Sequence, residues 1–290
     1  MIKIAVISGK GGTGKTMIAS ALADTNTSKQ VLADCDVDAA NLELLLSPIQ
    51  RLSTESFAGL EVARINPATC TSCGLCINYC AFDAISMKGD CPAVHPIHCE
   101  GCSLCTYVCL EGAVHMETRV CGEIYTSATE YGPLVHARLY PGSGTSGLLI
   151  NEVKKRALTI DPSAEVLLVD GPPGIGCPLI STISGMDAVL IVTEPSVSAL
   201  HDIKRLLTVC RRFDLRILML INRFDLLDQI TLEIESYAAE EKIAIIGKVP
   251  FDSAVVGAVR QGIPITKADT PASKAFLKIR DQIRSELDMP

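Results

Sequence analysis

The segment Gly9-Lys10-Gly11-Gly12-Thr13-Gly14-Lys15-Thr16 constrains the fold of this chain more than any other. It fits the pattern G-x-x-x-x-G-K-[ST] in the setting where that pattern has structural meaning, after the short β-branched run Lys3–Ser8 and before a helical stretch from Lys15 to Asp24. Glycines let backbone N–H groups converge on phosphate oxygens, and the helix that follows adds a favourable potential for an anion. Gly11, Gly12, Thr13 and Gly14 are expected to cradle phosphates, Lys15 to reach the β- and γ-phosphates, and Thr16 to ligate Mg²⁺.

The rest of the chain suits that beginning. Val31–Asp36 is a second apolar run ending in acids, and Val166–Val169, Ala188–Val192, Ile217–Ile221 and Ile243–Val249 are apolar without clean alternation. Such runs suit strands buried on both faces of a parallel sheet. Helical stretches such as Ala199–Arg212 and Thr231–Glu241 separate them. The expected fold is α/β: a mostly parallel sheet flanked by helices, formed by residues 1–59 and 123–290. Residues 123–147 are rich in Gly and Ser and carry no clear pattern.

Residues 60–122 differ in texture and read as an inserted α+β domain. Ten of the 13 cysteines lie between Cys70 and Cys121, inside a repeat with an offset of 29 that pairs Cys70 with Cys99, Cys73 with Cys102, Cys76 with Cys105 and Cys80 with Cys109. Each run has the spacing C-x2-C-x2-C-x3-C and resembles two-cluster bacterial ferredoxins. In that arrangement the fourth cysteine of one run ligates the other cluster. Cys70, Cys73, Cys76 and Cys109 are then expected to hold one [4Fe-4S] cluster, and Cys99, Cys102, Cys105 and Cys80 the second. Zinc is the competing reading of paired C-x2-C spacings. The proline usual after the fourth cysteine is replaced by Ala81 and Leu110. Of the remaining cysteines, Cys35, Cys91, Cys121 and Cys210 are expected to be structural.

Lys10 sharpens the nucleotide reading. Lys-Gly-Gly-Thr-Gly-Lys-Thr resembles the deviant Walker A motif of the MinD/ParA/Mrp/nitrogenase-iron-protein family of P-loop ATPases, in which the early lysine contacts nucleotide across a dimer interface. Asp34-Cys35-Asp36, followed by Asn41-Leu42, resembles that family's first switch, implying that Asp36 orients the attacking water and senses Mg²⁺. Val169-Asp170-Gly171-Pro172-Pro173-Gly174 resembles its Walker B and second switch, implying Asp170 in the Mg²⁺ shell. Asn222-Arg223-Phe224-Asp225 and Val249-Pro250-Phe251-Asp252 resemble its base-side segments, with Asn222 and Pro250 as cofactor contacts. Lys10, Lys15 and Asp36 are the implied catalytic residues. Cys177 lies seven residues after Asp170, the offset of a cluster-bridging cysteine in the nitrogenase iron protein, which implies an extra ligand or a reactive thiol.

The net charge of −7 argues against a general nucleic-acid or anionic-membrane surface. The start is too short for a signal peptide, and no apolar run reaches the roughly 20 residues that span a bilayer. A cytoplasmic protein is expected, in which cysteines serve metal or redox chemistry. The tail Phe276–Ile283 is amphipathic, but Glu286 and Asp288 oppose a stable membrane anchor, so it is expected to close on the core. The pattern as a whole resembles MinD-superfamily ATPases with an inserted ferredoxin domain. That implies ATP or ADP with Mg²⁺, two [4Fe-4S] clusters, a homodimer or a heterodimer with a sister MinD–ferredoxin protein, and nucleotide-gated electron transfer to a redox partner. An Mrp-type carrier delivering clusters to an acceptor protein is the alternative, although no Cys follows Cys210. A MinD-like positioning ATPase ranks third.

Overall fold

A computed structural model of the chain describes residues 1–26 and 28–288. The chain divides into two compact units: Met1–Glu55 with Ile124–Arg138 and Ser146–Pro290, and Ser56–Glu123 with Leu139–Thr145. The strands are β1 (Ile2–Ser8), β2 (Gln30–Asp34), β3 (Gln50–Ala58), β4 (Val62–Ile65), β5 (Ile85–Lys88), β6 (Cys91–Val94), β7 (Val114–Glu117), β8 (Val120–Thr129), β9 (Gly132–Leu139), β10 (Val166–Pro173), β11 (Ala188–Thr193), β12 (Arg216–Asn222) and β13 (Ala244–Val249). The helices are α1 (Lys15–Thr25), α2 (Leu42–Leu46), α3 (Leu75–Asn78), α4 (Leu104–Val108), α5 (Ser146–Ile160), α6 (Cys177–Ile183), α7 (Ala199–Cys210), α8 (Asp228–Glu240), α9 (Ala254–Gln261) and α10 (Pro271–Glu286).

The first unit is built on a sheet in the order β13-β12-β11-β1-β10-β2-β9-β8-β3. Parallel pairing runs unbroken from β13 to β9. The apolar runs are continuous because helices leave both sheet faces dry: every residue of β2 and of β11 is buried. Within α10, Phe276, Ile279 and Ile283 are buried and the helix packs on β13. A Cβ on Gly247 would sit 2.4 Å from Ile279 Cγ1, so a glycine at that strand position lets the helix approach. Among the described residues no helix is long and apolar enough to cross a membrane. The Gly- and Ser-rich stretch that the sequence left without pattern folds as β8, β9 and the start of α5. Short polar side chains are tucked inside the sheet there, with Thr126, Ser127 and His136 all buried, and this hides the usual apolar signal.

Register sets the site. Val6 of β1 aligns with Asp170 of β10, and Asp170 aligns with Asp34 of β2. Asp34 and Asn222 terminate their strands, as does Thr193 one residue before Glu194. The carboxyl ends of neighbouring parallel strands thus deliver polar residues to one rim, where open α/β sheets place their ligands.

In the second unit β4 pairs antiparallel with β7, and β5 with β6. The repeat offset of 29 carries β4 onto β6 and β5 onto β7. The first strand of one copy therefore pairs with the last strand of the other in one ladder, and the second ladder repeats that logic with the copies exchanged. The small core between the ladders contains Ala63, Cys76, Ile85 and Val114.

Candidate functional site

The phosphate loop leaves β1 at Ser8 and enters α1 at Lys15. Gly12 and Gly14 have φ of +83° and +86°, a region that L side chains avoid. Gly14 is pinned by its neighbour as well: a Cβ there would lie 2.5 Å from Asn222 Nδ2. Asn222 donates from Nδ2 to the Thr13 carbonyl at 2.8 Å, and its Oδ1 accepts from Arg223 N–H at 3.0 Å. One of its two N–H donors and one lone pair of its oxygen thus hold the loop. Arg223 donates to the Gly12 carbonyl at 3.4 Å and to Glu194 at 2.8 Å. Lys10 turns onto its own chain, with Nζ 2.8 Å from Ser196 Oγ and 3.3 Å from Glu194. Pro250 follows β13 in a loop joined to the one after β12, because Phe251 N–H donates to Asp225 at 2.7 Å.

Beneath the loop lies a buried charged cluster. Lys15 Nζ donates to Asp170 Oδ1 at 2.6 Å, with the two side chains 6% and 1% exposed. Burial alone would lower the Lys15 pKa, but the charge and hydrogen bond of Asp170 outweigh it, so the ammonium titrates above its ordinary range. Asp34 is fully buried and accepts from the N–H groups of Asp36, Asn41 and Leu42, each at 3.0 Å. Burial first, and the charge of Asp170 second, push its pKa up to about 7. Asp36 is partly buried, which raises its pKa also. Two buried oxygens, Asp170 Oδ2 and Thr13 Oγ1, have no hydrogen-bond partner among the described residues. Such atoms call for a ligand or ion. Thr16 occupies the second position of α1, half-buried.

The structure thus brings Lys15, Asp36 and Asp170 together and surrounds Lys10 and Asn222 with partners from their own chain. Asp34 and Arg223 stand inside the motifs read from the sequence without a role of their own, and Glu194 and Ser196 lie outside them. Glu194 carries the same signal that marked Asp170, an acid at the end of a buried apolar strand. Asp34 stands two residues from Asp36, and only the fold tells the fully buried carboxyl from its partly buried neighbour.

Two cavities in the second unit gather the cysteines. One is lined by Cys70, Cys73, Cys76 and Cys109. The other is lined by Cys80, Cys99, Cys102 and Cys105. Backbone N–H groups point at the sulfurs: Ala84 to Cys80 at 3.4 Å and Ala113 to Cys109 at 3.2 Å, equivalent positions of the repeat. Ser72 N–H lies 3.4 Å from Cys70 Sγ, and Ala63 N–H 3.5 Å from Cys99 Sγ. Burial and neighbouring thiols push the Cys76 and Cys105 thiols up. Among the described residues no group of three or more His, Cys, Asp or Glu side chains is placed to hold a metal ion. Cys177 is exposed at the first position of α6, whereas Cys35, Cys121 and Cys210 are buried.

Residues 4–265 match the CobQ/CobB/MinD/ParA nucleotide binding domain. An uncharacterized protein of Methanocaldococcus jannaschii is 34% identical over 286 residues, spanning 98% of this chain and 97% of that one. An iron-sulfur cluster carrier protein of Pyrococcus abyssi is 27% identical over 140 residues, 43% of this chain and 47% of its own length. Among solved structures, the septum site-determining protein MinD of Pyrococcus horikoshii, complexed with Mg-ADP, superposes with a TM-score of 0.61 at 20% identity, covering 97% of this chain and 95% of that one. The strand order, the phosphate loop and the family match lead to one conclusion: this chain belongs to the CobQ/CobB/MinD/ParA family of nucleotide-binding domains.

Proposed function

We propose that the chain is an ATP hydrolase in which nucleotide state gates electron transfer from two [4Fe-4S] clusters to a partner protein. The observation that carries this reading is the pair of cysteine-lined cavities, each taking three thiols from one repeat and the fourth from the other. Two tandem runs of four thiols, with N–H donors aimed at the sulfurs, fit polynuclear clusters better than single zinc ions, whose short bonds would draw the thiols into tight tetrahedra.

The first unit supplies the nucleotide chemistry. Thr16, Asp36 and Asp170 would hold Mg²⁺, which neutralises phosphate charge when bound. The unpartnered Asp170 Oδ2 fits that role. Lys15 would exchange Asp170 for the β- and γ-phosphates, and Asp36 would orient the attacking water. Lys10 would leave Ser196 and Glu194 to reach nucleotide held by a second protomer, either a second copy or a sister MinD–ferredoxin protein. Asn222 would hold the Thr13 carbonyl while the Pro250 loop borders the base. Residues 56–123 enter the chain between the two switches, so either switch has a covalent route to the cysteine-bearing segment. A cytoplasmic location suits clusters that oxidants would destroy.

Anaerobic EPR of the reduced chain, with iron counting, tests the proposal. Two reducible clusters whose spectrum changes with MgATP are expected, and a spectrum indifferent to nucleotide would refute gating. The likeness to an iron-sulfur cluster carrier favours a second reading, delivery of clusters to an acceptor protein. Clusters that stay bound through turnover in the presence of an apo-acceptor would eliminate it.

A further inference from the structure

The repeat lets the two cysteine cavities of the second unit be compared position by position. The cavity of Cys80, Cys99, Cys102 and Cys105 is also lined by Tyr79, Phe82 and Leu104, all three exposed. They meet there because α3, which ends just before Tyr79, packs against α4, which carries Leu104. Tyr107 stands one turn beyond Leu104 on α4 and is 83% exposed. An offset of 29 turns Phe82 into the acidic Glu111, which lines the cavity of Cys70, Cys73, Cys76 and Cys109. The same offset turns Tyr79 into Val108, which does not line it, and Tyr107 answers to the polar Asn78. Leu75, the counterpart of Leu104, is half-buried.

The fold of the unit does not require these exposed rings, since the other copy is built without them. Large apolar side chains held in water around one cavity mark a contact surface. Its charge says what covers it. Asp83 follows Phe82 and Glu100 lines the cavity, both exposed, and Lys88 is the only Lys or Arg between Arg64 and Arg119. Two such surfaces brought face to face would oppose carboxylate to carboxylate, so a second copy of this chain does not suit it. A protein with a basic ring around an apolar centre does.

We propose that Tyr79, Phe82, Leu104 and Tyr107 form the docking surface for a redox partner protein whose contact face is apolar at its centre and ringed by Lys and Arg. The inference rests on the electron-transfer reading and deepens it by naming the cavity that meets the partner. The aromatic rings exclude water at the centre of the contact, and Asp83 and Glu100 steer the basic ring onto it. The cavity of Cys70, Cys73, Cys76 and Cys109, with Glu111 in place of Phe82, is the one turned away from the exchange.

The probe is cytochrome c, a small basic protein whose exposed haem edge is ringed by lysines. The full chain is loaded anaerobically, reduced with dithionite, freed of the excess and mixed with ferric cytochrome c, and each electron that passes turns one ferric haem ferrous. Tyr107→Asn, which installs the residue of the other copy, and Phe82→Ala are each expected to lower the second-order rate constant about tenfold. Leu110→Ala, an exposed apolar residue next to Cys109 of the other cavity, is the control and should change it less than about twofold. Added salt should slow the wild-type reaction. Hydrogen–deuterium exchange gives a second readout: oxidised cytochrome c should protect residues 77–83 and 103–108 and leave residues 66–76 unchanged. Natively folded, iron-replete variants as fast as wild type would overturn the proposal, as would an equal loss in Leu110→Ala, or self-association of the wild-type chain that Tyr107→Asn abolishes. A wild-type chain that holds reducible iron but shows no such protection would overturn the docking surface alone. A natively folded wild-type chain that binds no iron would overturn the electron-transfer reading itself, and this surface as a redox contact with it.

Discussion

Replacing Lys15 by Met isolates the energetic role of the ion pair beneath the phosphate loop. Met keeps most of the apolar stem and removes the charge, so the packing loss stays below about 1.5 kcal/mol. What remains is Asp170, 1% exposed, with Oδ2 already unpartnered and Oδ1 now deprived of its 2.6 Å donor. Breaking one side of a buried pair costs about 3–5 kcal/mol, because the surviving charge has neither water nor counter-ion. The buried Asp34 carboxyl, whose charge is felt at Lys15, gives no relief. Asp170→Asn in the Lys15→Met background removes the stranded charge, and the double variant is expected to recover about 2–3 kcal/mol relative to Lys15→Met. The assay is urea unfolding at pH 7 without nucleotide or Mg²⁺, followed at 222 nm, where the long helices of the first unit dominate. At roughly 3 kcal/mol/M, a loss of 3 kcal/mol moves the midpoint by about 1 M. A Lys15→Met midpoint within 0.3 M of wild type (about 1 kcal/mol on that slope), or a double variant no more stable than the single, would show that the pair is solvated and the argument wrong.

Two further predictions concern the first unit. Gly14→Ala forces a side chain into a φ of +86° and against Asn222 Nδ2, so a loss of about 2–3 kcal/mol in thermal unfolding and weaker nucleotide binding are expected, whereas Gly11→Ala, which meets nothing within 4 Å, should change stability little. His136 is buried with Glu43, Arg51 and Ser127 around it, and burial holds its pKa below 6.5 against the opposing pull of Glu43. The unfolded imidazole binds a proton before the folded one does, so stability is complete above pH 6.5 and falls as pH drops toward the depressed value. Melting temperatures from pH 7.5 to 5 should show that slope in wild type and a shallower one in His136→Gln; equal slopes would count against it.

Motifs whose residues are close in sequence were legible. The phosphate loop and both cysteine runs needed nothing beyond local spacing, and the 29-residue offset described the second unit's strands as well as its thiols. Asp170 could be read because an apolar strand leads into it. Residues whose partners come from afar were not legible. Glu194 gains its meaning only when Lys10 and Arg223 arrive from opposite ends of the first unit. Asn222 reads as a base contact, but nothing near it in sequence tells that its amide also holds a carbonyl 209 residues away. The β8–β9 hairpin hid behind Gly, Ser and Thr, because its buried side chains are small and polar. Residues 139–145 join the second unit from outside the cysteine-rich stretch, which no compositional boundary could show.

The exchange of strands between the two copies makes the second unit one folding unit and not two. Each ladder takes one strand from either copy, and each cavity takes its last thiol from the copy that did not supply the other three. A solitary copy would own half of two ladders and no finished cavity. Neither half of the second unit can therefore reach this arrangement without the other, and cutting the chain between the repeats would leave two fragments that must find each other before either ladder closes.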